Sequence, residues 1–338
     1  MEWHYDQGYV DVSMPDYVPK ALKKFQHSPP LQPQFSPHQW HRPNYGARIQ
    51  YATTPDSSPA LDKYGKKYVQ SVVGSFLYYG RAIDHTMLVA SNEIAAHQAR
   101  PTQYIKSKCQ QLLDYAATFP NVTLRFNASD MILQVDSDAA YLVQDGARSR
   151  IAGHYILSSR PPPAPLIPKK TPNAPILIEC KTLRHVVASA AEAETGGLFH
   201  NAQTILHLRI LLDAIGHPQP PTPLKTDNST ASAFVNRSLR QRKSKSWDMK
   251  YHWLRDKELQ RLIRVFWDKG IHNDADYFTK HHPTSHHAAI RDRYILKGHH
   301  VTSFRSHFHG LNSMREGVLI LPYSNLHTHG NPGRRSDG

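Results

Sequence analysis

Four carboxylates stand where an α/β chain can put them to chemical use. Asp136 follows the apolar run Ile132-Leu-Gln-Val135, and Glu194 stands in Ser189-Ala-Ala-Glu192-Ala-Glu194. Asp227 closes Leu224-Lys-Thr, and Asp276 stands in His272-Asn-Asp-Ala-Asp276. Each lies at the edge of a recognisable element, in the order strand, helix, strand, helix. A strand that carries an acid to its C-terminal edge is a common way for a sheet to build a metal or catalytic site. Taken singly, the positions also have plainer readings. Asp136-Ser-Asp138 is good turn chemistry for an edge strand. Asp276 stands three residues after Asn273, where a helix cap also favours an acid. Asp227, before Asn228-Ser229, equally helps to start a helix.

The elements that must position these acids follow in order along the chain. Residues 1–25 read as two short strands paired across Asp6-Gln-Gly8, then an amphipathic helix opened by Pro15. From 28 to 60 the chain is rich in Pro, Ser, His and Gln, the composition of a linker or extended arm. Val69, Val72, Val73, Phe76, Leu77 and Ile83 recur at three- and four-residue spacings and predict helix over 64–98. Pro101 opens another helix, with Ile105, Leu112, Leu113 and Ala116, that stops at Pro120. Lys63, Lys66, Lys67, Arg81, Lys106 and Lys108 line these helices, either as a solvated basic face or as a nucleic-acid groove.

The second half predicts strands ending at Asp136, over 151–157 and over 175–180, with a Pro-rich segment at 160–165 between the last two. A helix over 189–215, a strand over 224–227, helices over 229–239 and 248–259, a strand over 261–267 and a last helix near Asn273 complete it. A basic run fills 240–245. Three strands followed by alternating helices and strands make an α/β fold. In the helix over 189–215, Leu198, Ile205 and Leu212 recur every seven residues, with Ala202 and Leu208 on the same side. Glu194 lies in line with that stripe, and Glu192 about 200° around it faces away. From His281 the chain becomes His- and Arg-rich and loses its period. The pairs His281-His282, His286-His287 and His299-His300 have no second fixed set of ligands, so they read as a tail rather than a metal site.

Composition narrows the class. With 338 residues there is room for about two domains. Lys and Arg number 41 against 27 acids, a net charge of +14, which points to a polyanionic partner because phosphate contacts release counterions. Cys109 and Cys180 are the only cysteines, which fits a reducing compartment and argues against a Cys-rich zinc site. No apolar run approaches the roughly 20 residues that cross a bilayer, and the first residues lack a signal-peptide pattern. Cytoplasm is therefore the expected location.

Several segments together resemble the ribonuclease H domain of copia-type LTR-retrotransposon polyproteins. They are Asp136-Ser-Asp-Ala, Ser189-Ala-Ala-Glu-Ala-Glu194, Thr226-Asp-Asn-Ser229, Lys250-Tyr-His-Trp-Leu-Arg-Asp256 and Ala275-Asp-Tyr-Phe-Thr-Lys280. Upstream, residues 70–79 are similar to the segment after the reverse-transcriptase palm in those polyproteins. The resemblance implies a ribonuclease H-like mixed five-stranded sheet with flanking helices over 128–285, preceded by a helical thumb or connection region over 61–120. It implies a palm remnant over 1–25, a linker over 26–60 and a tail over 286–338. It assigns Asp136, Glu194, Asp227 and Asp276 as ligands of two Mg²⁺ ions, with Mn²⁺ as a substitute, and the RNA–DNA hybrid as substrate. Hard cations of this kind take oxygen ligands. His252 becomes a weaker candidate for contact near the site. The remainder of the polyprotein is an implied partner, and virus-like particles or the nucleus are implied locations beside the cytoplasm.

The chain also departs from that family. Ala139-Ala140 and Thr195 stand where aromatics are common, Gly196-Gly197 costs about 1 kcal/mol per glycine within a helix, and the loop at 160–174 is unusually Pro-rich. No Tyr-x-Asp-Asp turn is found, so no polymerase activity is expected and the chain reads as a polyprotein fragment. The alternative reading is a catalytically silent nucleic-acid-binding relic.

Overall fold

The computed structural model describes residues 1–40, 56–144, 147–159, 173–236 and 245–295. Strands β1 (Glu2–His4) and β2 (Tyr9–Ser13) pair antiparallel across a 3-10 turn closed by Gly8 at φ 68°. Glycine takes that left-handed conformation without a Cβ penalty. Helices α1 (Tyr17–Lys24), α2 (Lys63–Ala82), α3 (Leu88–His97) and α4 (Gln103–Thr118) follow. Asp62 and Thr102 cap α2 and α4 by accepting from Gly65 N and Ile105 N. Strand β3 (Thr123–Asn127) is announced by no long apolar run, yet it pairs with β2 residue for residue and completes a three-stranded sheet. Arg125 pins it, donating to both oxygens of Asp11 at 2.8 Å while lying over the Tyr9 ring.

Beyond it come β4 (Ile132–Gln144), β5 (Arg148–Ser158), β6 (Leu177–Thr182), α5 (Ala190–Ala214), β7 (Thr222–Thr226), α6 (Ser229–Val235), α7 (Lys245–Leu259) and β8 (Ile263–Trp267). The five strands form one mixed sheet in the order β6-β5-β4-β7-β8. β4, β5 and β6 run antiparallel, whereas β4, β7 and β8 run parallel. This is a mixed five-stranded α/β sheet with flanking helices, the architecture expected over 128–285. Side chains alternate across a strand, so the two faces divide cleanly. Leu133, Val135, Tyr155, Leu224 and Val265 pack with α5, α6 and α7. Ala152, Ile178 and Cys180, on the opposite face, join the core built by α2, α3 and α4. The helical region and one face of the sheet thus share a core, while the other face packs separately with α5, α6 and α7.

Two expectations change at the C-terminal end. The last helix expected near Asn273 is instead a pair of 3-10 turns, Gly270–His272 and Asp274–Phe278. The second buries Ala275, Tyr277 and Phe278 almost fully, and Asn273 Nδ2 ties it to Ser137 O at 2.9 Å. A tight turn bonded across the sheet in this way has no free face to extend as a helix. The tail expected from 286 is structured in its first part, because α8 (Thr284–Tyr294) docks on the helical region. Its buried Arg291 meets Asp84 at 3.0 Å, donates to Thr86 Oγ1 at 2.8 Å and stacks over Phe119. A lone charged residue does not register in an apolar period, so sequence pattern misses this anchor. Residues 41–55, 145–146, 160–172, 237–244 and 296–338, with the Pro-rich loop, most of the basic run and the third histidine pair, lie outside the described residues.

Candidate active site

The site begins with where β4 stops being paired. The antiparallel partner β5 accompanies it from Ile132 through Ala140. The parallel partner β7 pairs only at Val135 with Leu224 and Asp136 with Lys225, and ends at Thr226. Continuing that register places Asp138 level with Asp227, at the carboxyl end of the parallel pair, where open sheets build their sites.

Asp138, Asp227 and Asp276 bring carboxylate oxygens within 4.8 Å of one another. Asp276 reaches the group from the second 3-10 turn, and Glu194 from the first turns of α5. Ala139 N donates to Glu194 Oε1 at 3.2 Å and Thr226 Oγ1 donates to Oε2 at 3.4 Å. Asp138 and Glu194 are only 3% and 5% exposed. Burial, and then the charges of Asp276 and Asp227, push the Asp138 carboxyl up to about 7. Burial, and then Asp138 and Asp227, raise Glu194 well above its ordinary range. Burial and Asp276 raise Asp227 as well. Lys280, paired with Asp276, is a cation that opposes the shift of Asp138 and Asp227, and Thr279 Oγ1 donates to Asp138 Oδ2 at 2.6 Å.

Of the four acids predicted, Asp227 and Asp276 meet in one cluster with Asp138, Glu194 stands beside it through Ala139 N and Thr226 Oγ1, and Asp136 does not join them. Its Oδ2 accepts from Asp274 N at 3.0 Å and lies 3.4 Å from Lys225 Nζ. It groups instead with His154 and Asp274, whose Oδ1 is 2.9 Å from Arg293 Nη2. That second cluster carries two acids against two cations. The first, with Glu194 beside it, carries four acids against Lys280 alone among the described residues, and so has the larger unmet need for positive charge. Asp138, unassigned in the sequence reading, takes the fourth place. His252 is exposed on α7 and belongs to neither cluster.

Helix α5 buries Leu198, Ala202, Ile205 and Leu212, with Glu194 on the same side, as the seven-residue period requires. Glu192 works as a cap: Ser189 Oγ accepts from Glu192 N at 3.2 Å while Glu192 Oε2 accepts from Ala188 N at 2.8 Å. Its charge is spent on the helix end rather than on the acid cluster. Glu194→Gln should therefore abolish metal-dependent activity, while Glu192→Gln should leave it nearly intact and cost about 1 kcal/mol of stability. Rate measurements and melting curves on the two variants check this, and the reverse pattern would contradict the observed helix face.

The glycines that weaken α5 have a packing reason. A Cβ on Gly197 would stand 3.3 Å from Ser137 Oγ and 3.4 Å from Asp138 O, so the helix lies directly on the acid-bearing strand. Asn201, one turn on, donates to Ser137 Oγ and Ala152 O at 2.9 Å and accepts from Tyr155 OH at 2.8 Å. Gly153 makes room for it, because a Cβ there would fall 2.3 Å from Asn201 Oδ1. On the open side, half-exposed Trp267 donates from Nε1 to Asp227 O at 3.0 Å and holds that acid's backbone.

The donor set suits a hard divalent cation. It is all oxygen, it is pre-assembled by strand, helix and turn, and its members raise one another's affinity for positive charge. Burial first, and the neighbouring carboxylates after it, push Asp138, Glu194 and Asp227 toward the protonated form, the direction that a bound cation would reverse.

No protein-family model matches the chain. Among solved structures it is similar to LC11-RNase H1 in complex with an RNA/DNA hybrid, at 9% identity over 44% of this chain and 93% of that one, with a TM-score of 0.31. RNase H1 from the halophilic archaeon Halobacterium salinarum NRC-1 is similar at 11% identity over 44% of this chain and 94% of that one, with a TM-score of 0.29. The foamy viral protease-reverse transcriptase in complex with dsDNA is similar at 16% identity, over 66% of this chain and 40% of that one, with a TM-score of 0.33. These likenesses are weak, and the fold stands on its strand order and directions. No helix among the described residues is long and apolar enough to cross a membrane.

Proposed function

We propose that this chain is a metal-dependent endonuclease that hydrolyses the RNA strand of RNA–DNA hybrids, and that Asp138, Glu194, Asp227 and Asp276 hold its Mg²⁺ or Mn²⁺ ions. The observation that carries the reading is the convergence of the Asp138, Asp227 and Asp276 carboxylates at the end of the parallel strand pair, with Glu194 held beside them by Ala139 N and Thr226 Oγ1 and Lys280 paired to Asp276. Bound there, a pair of divalent ions supplies an activated water and neutralises charge at the leaving oxygen. The chain's own residues prepare for that. Thr279 and Ala139 N–H orient the Asp138 and Glu194 carboxylates. Lys280 balances Asp276, and Trp267 holds the Asp227 backbone from the open side. Because Asp138 holds its proton up to about pH 7, cation and proton compete for the same oxygens.

In this reading the sequence comes from a copia-type retrotransposon polyprotein, with a palm remnant over 1–25, a linker over 26–60 and a thumb-like or connection region over 61–120. The ribonuclease H-like domain spans 128–285. The +14 charge then serves the phosphate backbone.

The test is cleavage by the purified full chain. A labelled RNA–DNA hybrid should be cut in Mg²⁺ and spared in EDTA, with duplex DNA left whole. Affinity should fall steeply as salt rises. A hybrid that stays intact in both Mg²⁺ and Mn²⁺ would overturn the enzyme in favour of a silent binding protein.

A further inference from the structure

A second concave site lies away from the acids, between the segment before residue 40, α4 and the start of α8. The cavity has a volume of about 490 Å³ and includes Gln34, Gln39, Trp40, Gln111, Thr284 and Ser285 in its wall. That volume falls within the roughly 300–1,000 Å³ of small-molecule sites. Its chemistry is unlike that of the rest of the protein. Among the described residues no Lys, Arg, Asp or Glu lines it, although the chain carries a net charge of +14. Amides, hydroxyls, one indole ring and the His38 imidazole do, with Pro283 beside them.

The wall is built rather than incidental. Gln34 N donates to Thr118 Oγ1 at 2.8 Å, Ser36 Oγ donates to His38 O at 2.7 Å, and Gln111 Nε2 donates to Ser36 O at 3.3 Å. Phe35 packs edge-on against Phe119. These contacts hold 34–39 against α4. Trp40 stays 38% exposed, and among the described residues no hydrogen bond takes its indole N–H or the Gln39 side-chain amide. A wall of neutral donors and acceptors among the described residues, beside a part-exposed indole ring, matches a flat, uncharged group with hydrogen-bonding edges. Nucleobases are such groups: amide side chains read their edges, and aromatic rings stack on their faces in a sequence-tolerant way. A base is open to such contact only when unpaired.

We propose that this cavity binds an unpaired nucleobase of a single-stranded extension of the nucleic acid on which the protein sits. The partner class rests on the nucleic-acid reading above, but not on hydrolysis. The cavity also touches the acid cluster indirectly. His38 in its wall meets His287 with Nε2 atoms 3.2 Å apart, and His287 Nδ1 bonds Tyr277 OH at 2.5 Å. Tyr277 neighbours Asp276 on the same turn. A strand end held here is therefore tied through buried rings to the turn that carries an acid.

The experiment measures binding in EDTA, so that cleavage plays no part. Two fluorescent RNA–DNA hybrids are used, one blunt and one with a short single-stranded extension. The wild-type chain should hold the extended hybrid roughly 10-fold more tightly, in keeping with the stacking of one base on an aromatic ring. Trp40→Ala and, separately, Gln39→Leu should remove most of that difference while leaving affinity for the blunt hybrid and its cleavage in Mg²⁺ unchanged. Equal wild-type affinity for the two hybrids would overturn the proposal. So would a preference that survives in both variants, or one that is competed away by peptides and not by single-stranded oligonucleotides. A preference for the extension in a chain that cuts nothing would leave this cavity standing and remove only the nuclease.

Discussion

Asp138→Asn is expected to lower cleavage of an RNA–DNA hybrid by at least ~100-fold, while Asp136→Asn leaves the rate within a few-fold of the parent. Even groups that only support metal ligands are worth roughly 10–100-fold, and Asp138 is placed among the ligands themselves. Its oxygens lie within 4.8 Å of those of Asp227 and Asp276, and its charge is opposed by burial and by both neighbours. Asp136 lies on the same face of β4 but two residues earlier, beside Lys225 and the backbone of Asp274. Removing its charge leaves Lys225 less well paired in a buried setting, which costs on the order of 3 kcal/mol when one partner of a buried pair is lost. The two variants should thus separate cleanly. One is stable and inactive, the other active and less stable. Cleavage rates and thermal unfolding on both proteins decide it, and loss of activity only in Asp136→Asn would move the site back to the residue the sequence favours.

Mg²⁺ or Mn²⁺ should raise the unfolding temperature strongly at pH 8 and little at pH 5. Asp138 has a folded value of about 7 against an ordinary 3.8. Folding therefore takes up a proton between those values. Below the lower one the carboxyl is protonated in both states and costs nothing. As pH rises through the window, the metal-free protein loses that stability, and above about 7 the loss is complete. A divalent cation offsets the repulsion that the proton no longer relieves. At a hundredfold excess over its dissociation constant it adds about 2.7 kcal/mol. At pH 5 the proton competes at about a hundredfold advantage, and most of that gain disappears. Melting curves with and without the cation at the two pH values give the readout. Asp138→Asn should show a smaller cation effect at pH 8. An equal gain at both pH values, or a full gain in the variant, would separate the cation from these acids.

Much of the framework was legible in the chain itself. The order of strands and helices after residue 130 follows from alternating and three-to-four-residue apolar spacings, because local backbone geometry fixes which side chains share a face. The same rule placed Glu194 on the buried side of α5 and Glu192 away from it, and the burial of Leu198, Ile205 and Leu212 agrees. The N-terminal hairpin and the helices at 64–98 and 101–120 were equally readable from turn residues and period.

What the pattern could not contain was register between distant strands. Asp136 and Asp138 share a face of β4, so local spacing treats them alike. Only the pairing of Asp136 with Lys225 on β7, 89 positions later in the numbering, sets Asp138 beside Asp227 and gives Asp136 a lysine. The Gly196-Gly197 step reads as a weak point in a helix until the strand beneath it is seen to need the space. Strand β3 and the docking of α8 through Arg291 depend on single polar partners far along the chain, Asp11 and Asp84. Periodicity records how a residue sits relative to its near neighbours. Which acids meet is decided by contacts between segments whose separation no local pattern encodes.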